Sequence, residues 1–308
     1  MQATTNEETS AGQLDWRLGV VLAIAGTFLF ALKSIFIKLA FEAGANATEL
    51  LTLRMAFSLP FYFAVWLRIN RLNQPTNYSI KIKAVLLGFL GYYLASYLDL
   101  QGLNYISAQL ERLTLFTYPA IVAVLAWAFL GEQLNKRIIS SIVLSYLGVA
   151  LMYWRESGFQ GGDHQALGVA LVIGAAVSYS LYVLFAKPTM QVIGSRHFTS
   201  LAMMGSSLFV GVHFLVTQNA REILQLSPSV YAYAIVLAIG CTVIPSFMIN
   251  EAIMRIGATR TTVIGSVGPV LTLLLAVLIL REPTSVLHWL GMLLALIGVS
   301  LVSRKGDS

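Results

Sequence analysis

Ten uninterrupted apolar runs, each about twenty residues long, constrain this chain more than any other feature. They cover 17–39, 48–69, 83–103, 109–130 and 137–154, then 167–187, 197–217, 231–253, 260–280 and 286–303. A run of that length matches one helical crossing of a bilayer core and is several times longer than an ordinary strand. Composition decides whether such helices could instead be the buried core of a soluble domain. Soluble domains carry roughly 25% charged residues. This chain carries 11%, with 57% hydrophobic residues and a mean hydropathy of +0.76, too few charges to cover a water-facing surface of its size. The same numbers exclude disordered and collagen-like chains. The fold class that follows is an all-α integral membrane protein with ten transmembrane helices. The connections are short and leave no room for a soluble domain.

The charges that remain lie mostly at the ends of the runs. On alternate sides, thirteen Lys and Arg fall on the side of the N-terminus and five on the other; Lys33 and Arg54 lie inside runs. The positive-inside rule then places both termini in the cytoplasm and the protein in the inner (cytoplasmic) membrane. It also favours an even number of spans. Arg112 is counted among the five as a loop residue. Trp16, Trp66, Trp154 and Trp289 sit where interfacial aromatic belts are expected. The net charge of +6 belongs to these loops and is not a nucleic-acid signal. Residues 1–16 are polar and have no basic n-region, so the first run reads as a retained span. Cys241 is the single cysteine, and no intrachain disulfide is possible.

The chain also resembles itself at an offset near 150. The stretch 117–133 lies over 267–283, with identities at Pro119/Pro269, Ala126/Ala276 and Glu132/Glu282; Gly148/Gly298 and Ser96/Ser246 continue the match. At an offset of 149, Gly19/Gly168 and Lys38/Lys187 also match. The expected organisation is a polar tail (1–16), a first five-helix repeat (17–155), a linker (156–166), a second five-helix repeat (167–303) and a short tail (304–308). Five is odd, so the two repeats would enter the membrane in opposite senses. Inverted repeats are a recurrent basis for alternating access in secondary transporters.

The stretches 102–154 and 252–302 resemble the repeated module of the drug/metabolite transporter superfamily, EamA type. The matching marks are the Pro, the Leu-x-Glu after the fourth span and the closing Gly, at Pro119, Glu132 and Gly148 and again at Pro269, Glu282 and Gly298. Arg54 looks like the family's second-span arginine. Taken whole, the sequence is most similar to the YddG-type amino-acid exporters. The resemblance implies ten helices, a central cavity and export of small metabolites, amino acids with aromatic or other apolar side chains first among them.

Candidate pathway residues are polar or aromatic groups on one face of a span. The third span offers Tyr92, Ser96 and Asp99; the eighth offers Thr242, Ser246 and Asn250. The first contributes Thr27, Phe30, Lys33 and Ser34, the fourth Thr117 and Tyr118, the sixth Tyr179 and Tyr182, and the ninth Thr262 and Ser266. For each hydroxyl the plain alternative is interhelical hydrogen bonding, and for each tyrosine it is packing. Lys33 either binds a carboxylate or snorkels outward. Arg54 reads as a snorkelling residue or a partner of Glu49. Asp99 and Glu251 read as partners of Arg112 and Arg255, or as groups of a proton-coupled step. Pro119, Pro245, Gly268 and Pro269 are the expected kinks, with freed carbonyls near Leu115 and Gly265.

Catalytic readings find no support. There is no H-E-x-x-H, G-x-S-x-G or aspartate-rich motif, and the four histidines are scattered. No metal or other cofactor is expected. A P-loop is also absent. The expected function is a secondary carrier working by alternating access on a small-molecule substrate within a lipid bilayer, as a monomer or homodimer without nucleic acid. Nucleobase, polyamine or drug-like efflux are the alternatives within transport, followed by a passive channel.

Overall fold

The computed structural model describes residues 2–70, 77–131, 133, 136–157 and 164–303; the side chains of 2–15, 137, 258, 259, 262, 263, 302 and 303 lie outside that description. The regular structure described is helical throughout. Eight helices are long and apolar enough to cross a membrane: α1 (Gln2–Glu42), α2 (Ala47–Asn70), α3 (Tyr78–Leu103), α4 (Ala108–Leu130), α5 (Lys136–Ser157), α6 (Gln165–Ile193), α7 (Ser195–Thr217) and α8 (Pro228–Ile256). Three shorter helices follow, α9 (Ala258–Gly265), α10 (Val267–Ile279) and α11 (Val286–Ser303), of which the last two are apolar. The chain is therefore a multi-pass membrane protein. Helix α1 begins at Gln2 and carries the polar N-terminal stretch into the first span without a break; no proline interrupts it.

Two irregularities recur at an offset of 150. Helix α3 widens into a π-helical turn at Phe89–Leu94, and α8 does the same at Ile239–Val243. Such turns leave carbonyls poorly served by the helix itself. In α3 the Leu90 carbonyl accepts from Ser178 Oγ of α6 at 2.8 Å; in α8 the Leu237 carbonyl accepts from Thr242 Oγ1 at 2.8 Å. Pro245 stands in the first turn after the second widening, where it supplies no backbone N–H. The second irregularity is a break. Helix α4 stops at Leu115 and restarts at Tyr118, and α9 stops at Gly265 before α10 begins at Val267. Pro119 therefore lies in the first turn of a restarted helix, and Pro269 likewise, which is where proline is best tolerated. The expected mid-helix kinks are helix breaks.

The packing is pairwise between the two halves. Helix α1 packs on α8 and α10, while α6 packs on α3 and on the second segment of α4; α2 packs on α7 and α5 on α11. Glycines set these approaches. A Cβ on Gly88 would lie 2.1 Å from the Ala202 carbonyl oxygen, and one on Gly148 would lie 2.4 Å from the Gly291 carbonyl oxygen. Along the α5–α11 seam, Gly298 meets Ser141 and Ser145, whereas Gly291 meets Gly148 and Met152. The partner number falls as the α5 number rises, so these two helices run antiparallel. Glu282, beyond α10, reaches across to the start of α4 and accepts the backbone N–H of Ala108 (2.8 Å) and Gln109 (3.3 Å). A carboxylate there satisfies donors the helix leaves open. Burial pushes the Glu282 carboxyl up; the Ala108 N–H, Lys38 and the Gln109 N–H oppose the shift without cancelling it. Glu132, its counterpart in the first half, lies outside the described residues.

Candidate functional site

The π-helical turns and the helix breaks face one another across a central cavity of about 190 Å³. Its walls come from α1, α2, α3, α4, α6, α8 and α9, so every wall is a helix placed by the pairwise packing above. Leu115, Phe116 and Gly265, at the breaks, and Gly91 and Thr242, in the widened turns, all line it. Irregular backbone at membrane depth is tolerated where it borders such a cavity.

One end of the cavity carries charge. Lys33 Nζ donates to Asp99 Oδ2 at 2.6 Å, an ion pair between α1 and α3. Ser34 Oγ, on the next residue of α1, donates to Glu111 Oε2 at 2.6 Å. Asp99 and Glu111 are 1% and 0% exposed. Asp99 Oδ1 and Glu111 Oε1 meet no N–H or hydroxyl. The two carboxyls are within hydrogen-bonding reach of each other, a contact that forms only when one of them carries a proton. Two arginines join this group. Arg54 of α2 lines the cavity, is 2% exposed, and its Nε has no hydrogen-bond partner. Arg112 of α4 also lines it, and its Nε is likewise buried without a partner.

The other end is aromatic. Tyr92 and Tyr182 share a hydroxyl–hydroxyl bond of 2.9 Å with ring centroids 5.1 Å apart. The series continues through Tyr179 (5.6 Å from Tyr182), Tyr118 (5.2 Å from Tyr179) and Phe116 (6.0 Å from Tyr118). Gly91 makes room for it, since a Cβ there would lie 2.4 Å from the Tyr182 ring. Asn250 Nδ2 fastens the edge by donating to Thr199 Oγ1 at 2.7 Å and, more weakly, to the Tyr92 hydroxyl at 3.4 Å.

Of the residues expected to form the pathway, Thr27, Phe30, Lys33, Tyr92, Ser96, Asp99, Tyr118, Tyr179, Thr242, Ser246 and Asn250 border the cavity. Ser34 and Tyr182 stand one layer behind it, holding Glu111 and Tyr92. Thr117 turns back onto the Thr114 carbonyl at the helix break. Gly268 lies beside Arg112, its Cβ position 3.3 Å from an arginine nitrogen. Ser266 is half-buried beyond the lining; the Thr262 side chain lies outside the described residues. Three expectations change. Arg112 is not a loop cation but a cavity wall. Arg54 does not reach Glu49, whose carboxylate instead accepts the Asn46 N–H at 2.9 Å. Asp99 pairs with Lys33, whereas Glu251 does pair with Arg255, at 2.8 Å. Glu111 and Tyr62, whose hydroxyl meets Ser246 Oγ at 2.8 Å, were not among the expected residues. Glu111 and Arg112 stand just ahead of the Pro119 break, in a short first segment of α4 whose residues are mostly buried.

The sequence profile of the EamA-like transporter family matches this chain twice, over residues 17–154 and 166–304. The uncharacterized transporter YcbK of Bacillus subtilis is 28% identical over 89% of this chain and 88% of its own length. A WAT1-related protein of Arabidopsis thaliana is 24% identical over 92% of this chain and 88% of its own length. Solute carrier family 35 member B1 of Xenopus laevis is 25% identical over 71% of this chain and 70% of its own length. A solved crystal structure shares the fold with a TM-score of 0.66, at 16% identity, covering 94% of this chain and 99% of that one.

Proposed function

This chain belongs to the EamA-like transporter family, a membrane transporter of small solutes and not an enzyme, and we propose that its cargo is an amino acid with an aromatic or other apolar side chain. The observation that carries this reading is the division of one cavity into a charged end (Lys33, Asp99, Arg54 and Arg112, with Glu111 behind them) and a tyrosine shelf (Tyr92, Tyr179, Tyr118). A zwitterion with an apolar side chain presents the same division in one molecule. Polyamines fit poorly, because the cavity already holds more cationic than anionic side chains.

The carrier exports its cargo across the cytoplasmic membrane by alternating access between two inverted five-helix repeats, ten spans in all, with both termini cytoplasmic. The antiparallel α5–α11 seam supports this topology, because those helices occupy equivalent places in the two halves. So does the thirteen-to-five distribution of basic residues.

Purified protein in liposomes, given a panel of labelled amino acids, tests the substrate. Saturable flux with counterflow is expected for phenylalanine, tyrosine, tryptophan or leucine. The absence of saturable flux for every amino acid would remove the proposal. Flux that never saturates would mean a channel. Ser96 lines the cavity without a bond that the fold needs, so Ser96→Trp should fill the cavity and stop transport while the protein still folds.

A further inference from the structure

Five ionisable side chains meet at the charged end of the cavity, and they are not equally engaged. Lys33 is held by Asp99 at 2.6 Å and Glu111 by Ser34 at 2.6 Å. Asp99 and Glu111 also face each other. These four residues bond to one another within the protein, with one oxygen each of Asp99 and Glu111 left over. The two guanidinium groups do not. Among the described residues neither Arg54 nor Arg112 donates a side-chain hydrogen bond, although each carries five N–H donors in a rigid fork. Arg54 is the sharper case, since at 2% exposure it is buried between α2 and the cavity. A buried charge is costly unless it is paired and hydrogen-bonded. The nearest anionic group, Asp99, interacts with Arg54 through space but spends its bonding oxygen on Lys33.

The charge balance points the same way. Lys33 and Asp99 cancel. Asp99 and Glu111 together carry at most two negative charges, against the three positive charges of Lys33, Arg54 and Arg112. Arg54 and Arg112 then leave the cavity positive. A guanidinium fork matches a planar carboxylate better than any other side chain does. Arg112 also adjoins the aromatic end, within electrostatic range of Tyr179, so an anionic group held there places an attached ring on the tyrosine shelf.

We infer that Arg54 and Arg112 form the carboxylate-binding subsite of the cavity, and that the substrate's carboxylate contributes more to recognition than its amino group. The subsite rests on the amino-acid reading above but makes a separate demand: an aromatic monocarboxylate without an amine enters the same site. Lys33, the obvious candidate in the sequence, already has its charge matched by Asp99.

Two truncated relatives of phenylalanine test this in liposomes: phenylpropionate, which keeps the carboxylate, and phenethylamine, which keeps the amine. Phenylpropionate should inhibit labelled phenylalanine flux at concentrations where phenethylamine does not. Arg54→Gln and Arg112→Gln should each raise its half-inhibitory concentration by about tenfold or more, the scale of a lost charge-assisted bond. Phenethylamine inhibiting as well as phenylpropionate, or both variants leaving phenylpropionate inhibition unchanged, would overturn the subsite. Thermal unfolding in detergent supplies a readout that needs no transport. Phenylpropionate should raise the melting temperature of the wild type and of Arg54→Lys more than that of Arg112→Gln; equal shifts in all three count against the subsite. This readout also separates the two readings. An arginine-dependent shift without saturable amino-acid flux keeps the subsite and removes the amino-acid carrier, and amino-acid flux without arginine dependence does the reverse.

Discussion

At the scale of single residues, the charged end of the cavity is held by a short ion pair between helices far apart in sequence. Lys33 and Asp99 are separated by 66 positions, and neither is exposed enough for water to replace the other. Removing one partner of such a pair leaves an uncompensated buried charge, which costs about 3–5 kcal/mol, whereas replacing both by neutral groups is often close to neutral. Lys33→Met alone should therefore lower the melting temperature in detergent markedly, and adding Asp99→Asn should restore most of the loss. A double variant as unstable as the single one would show that the lysine acts through packing. The sequence marks Lys33 and Asp99 as unusual, because charges inside apolar runs are rare. Their pairing was not legible, since nothing local says which of several cations meets an acid on another helix. Arg54 and Arg112 were misplaced for a related reason. A long basic side chain near a helix end can snorkel outward or turn inward, and the inward choice depends on a helix break and on neighbours that only the packed bundle supplies.

At the scale of elements, the spans were the most legible part. The expected runs 48–69, 109–130 and 197–217 differ from α2, α4 and α7 by one or two residues at an end, because charges and turn residues mark where lipid stops. The breaks in α4 and between α9 and α10 were signalled by Pro119 and Pro269, though as kinks. The π-helical turns were not signalled. Only α8 has a proline beside its turn, and α3 reaches the same geometry with Ala95 in that place. What the two turns share is a hydroxyl that donates to a backbone carbonyl at the turn, Ser178 from a neighbouring helix in one case and Thr242 from the turn itself in the other. Glycine contacts determine how closely α3 approaches α7. A methyl at Gly88 would meet backbone, the Ala202 carbonyl oxygen, and so nothing flexible can yield. Gly88→Ala should cost about 1–3 kcal/mol, the range for overpacking. Gly211→Ala, in α7 with nothing within 4 Å of the added methyl, should be neutral or stabilise by up to about 1 kcal/mol. Thermal unfolding of the two variants side by side measures the difference, and equal behaviour would mean that the α3–α7 approach is loose.

At the scale of the whole molecule, the two halves meet in interfaces of different character. Around the cavity, broken and widened helices face polar and aromatic groups, and the packing there leaves open space. The α5–α11 seam is the opposite: Gly148, Gly291 and Gly298 bring the two helices together at backbone distance. Close-packed interfaces of this kind have little room for continuous sliding, so the proposed alternating access should proceed by movement of the cavity-lining helices while the seam stays closed. A side chain at Gly298 would meet the Ser141 carbonyl oxygen at 2.8 Å and the Ser145 backbone nitrogen at 2.9 Å, so the seam is better probed from its exposed neighbours, Leu147 of α5 and Leu293 of α11. Cys241 is the only native cysteine and can be removed first. On a Cys241→Ala background, spin labels on Leu147→Cys and Leu293→Cys should therefore keep the same separation with and without substrate. A substrate-dependent change in that separation, measured by pulsed EPR, would place the moving boundary at the seam and make the cavity walls the static part. An unchanged separation would assign the motion to α1, α3, α4 and α6, the helices that carry Lys33, Asp99 and the tyrosine shelf, so that the groups facing the substrate are also the groups that rearrange around it.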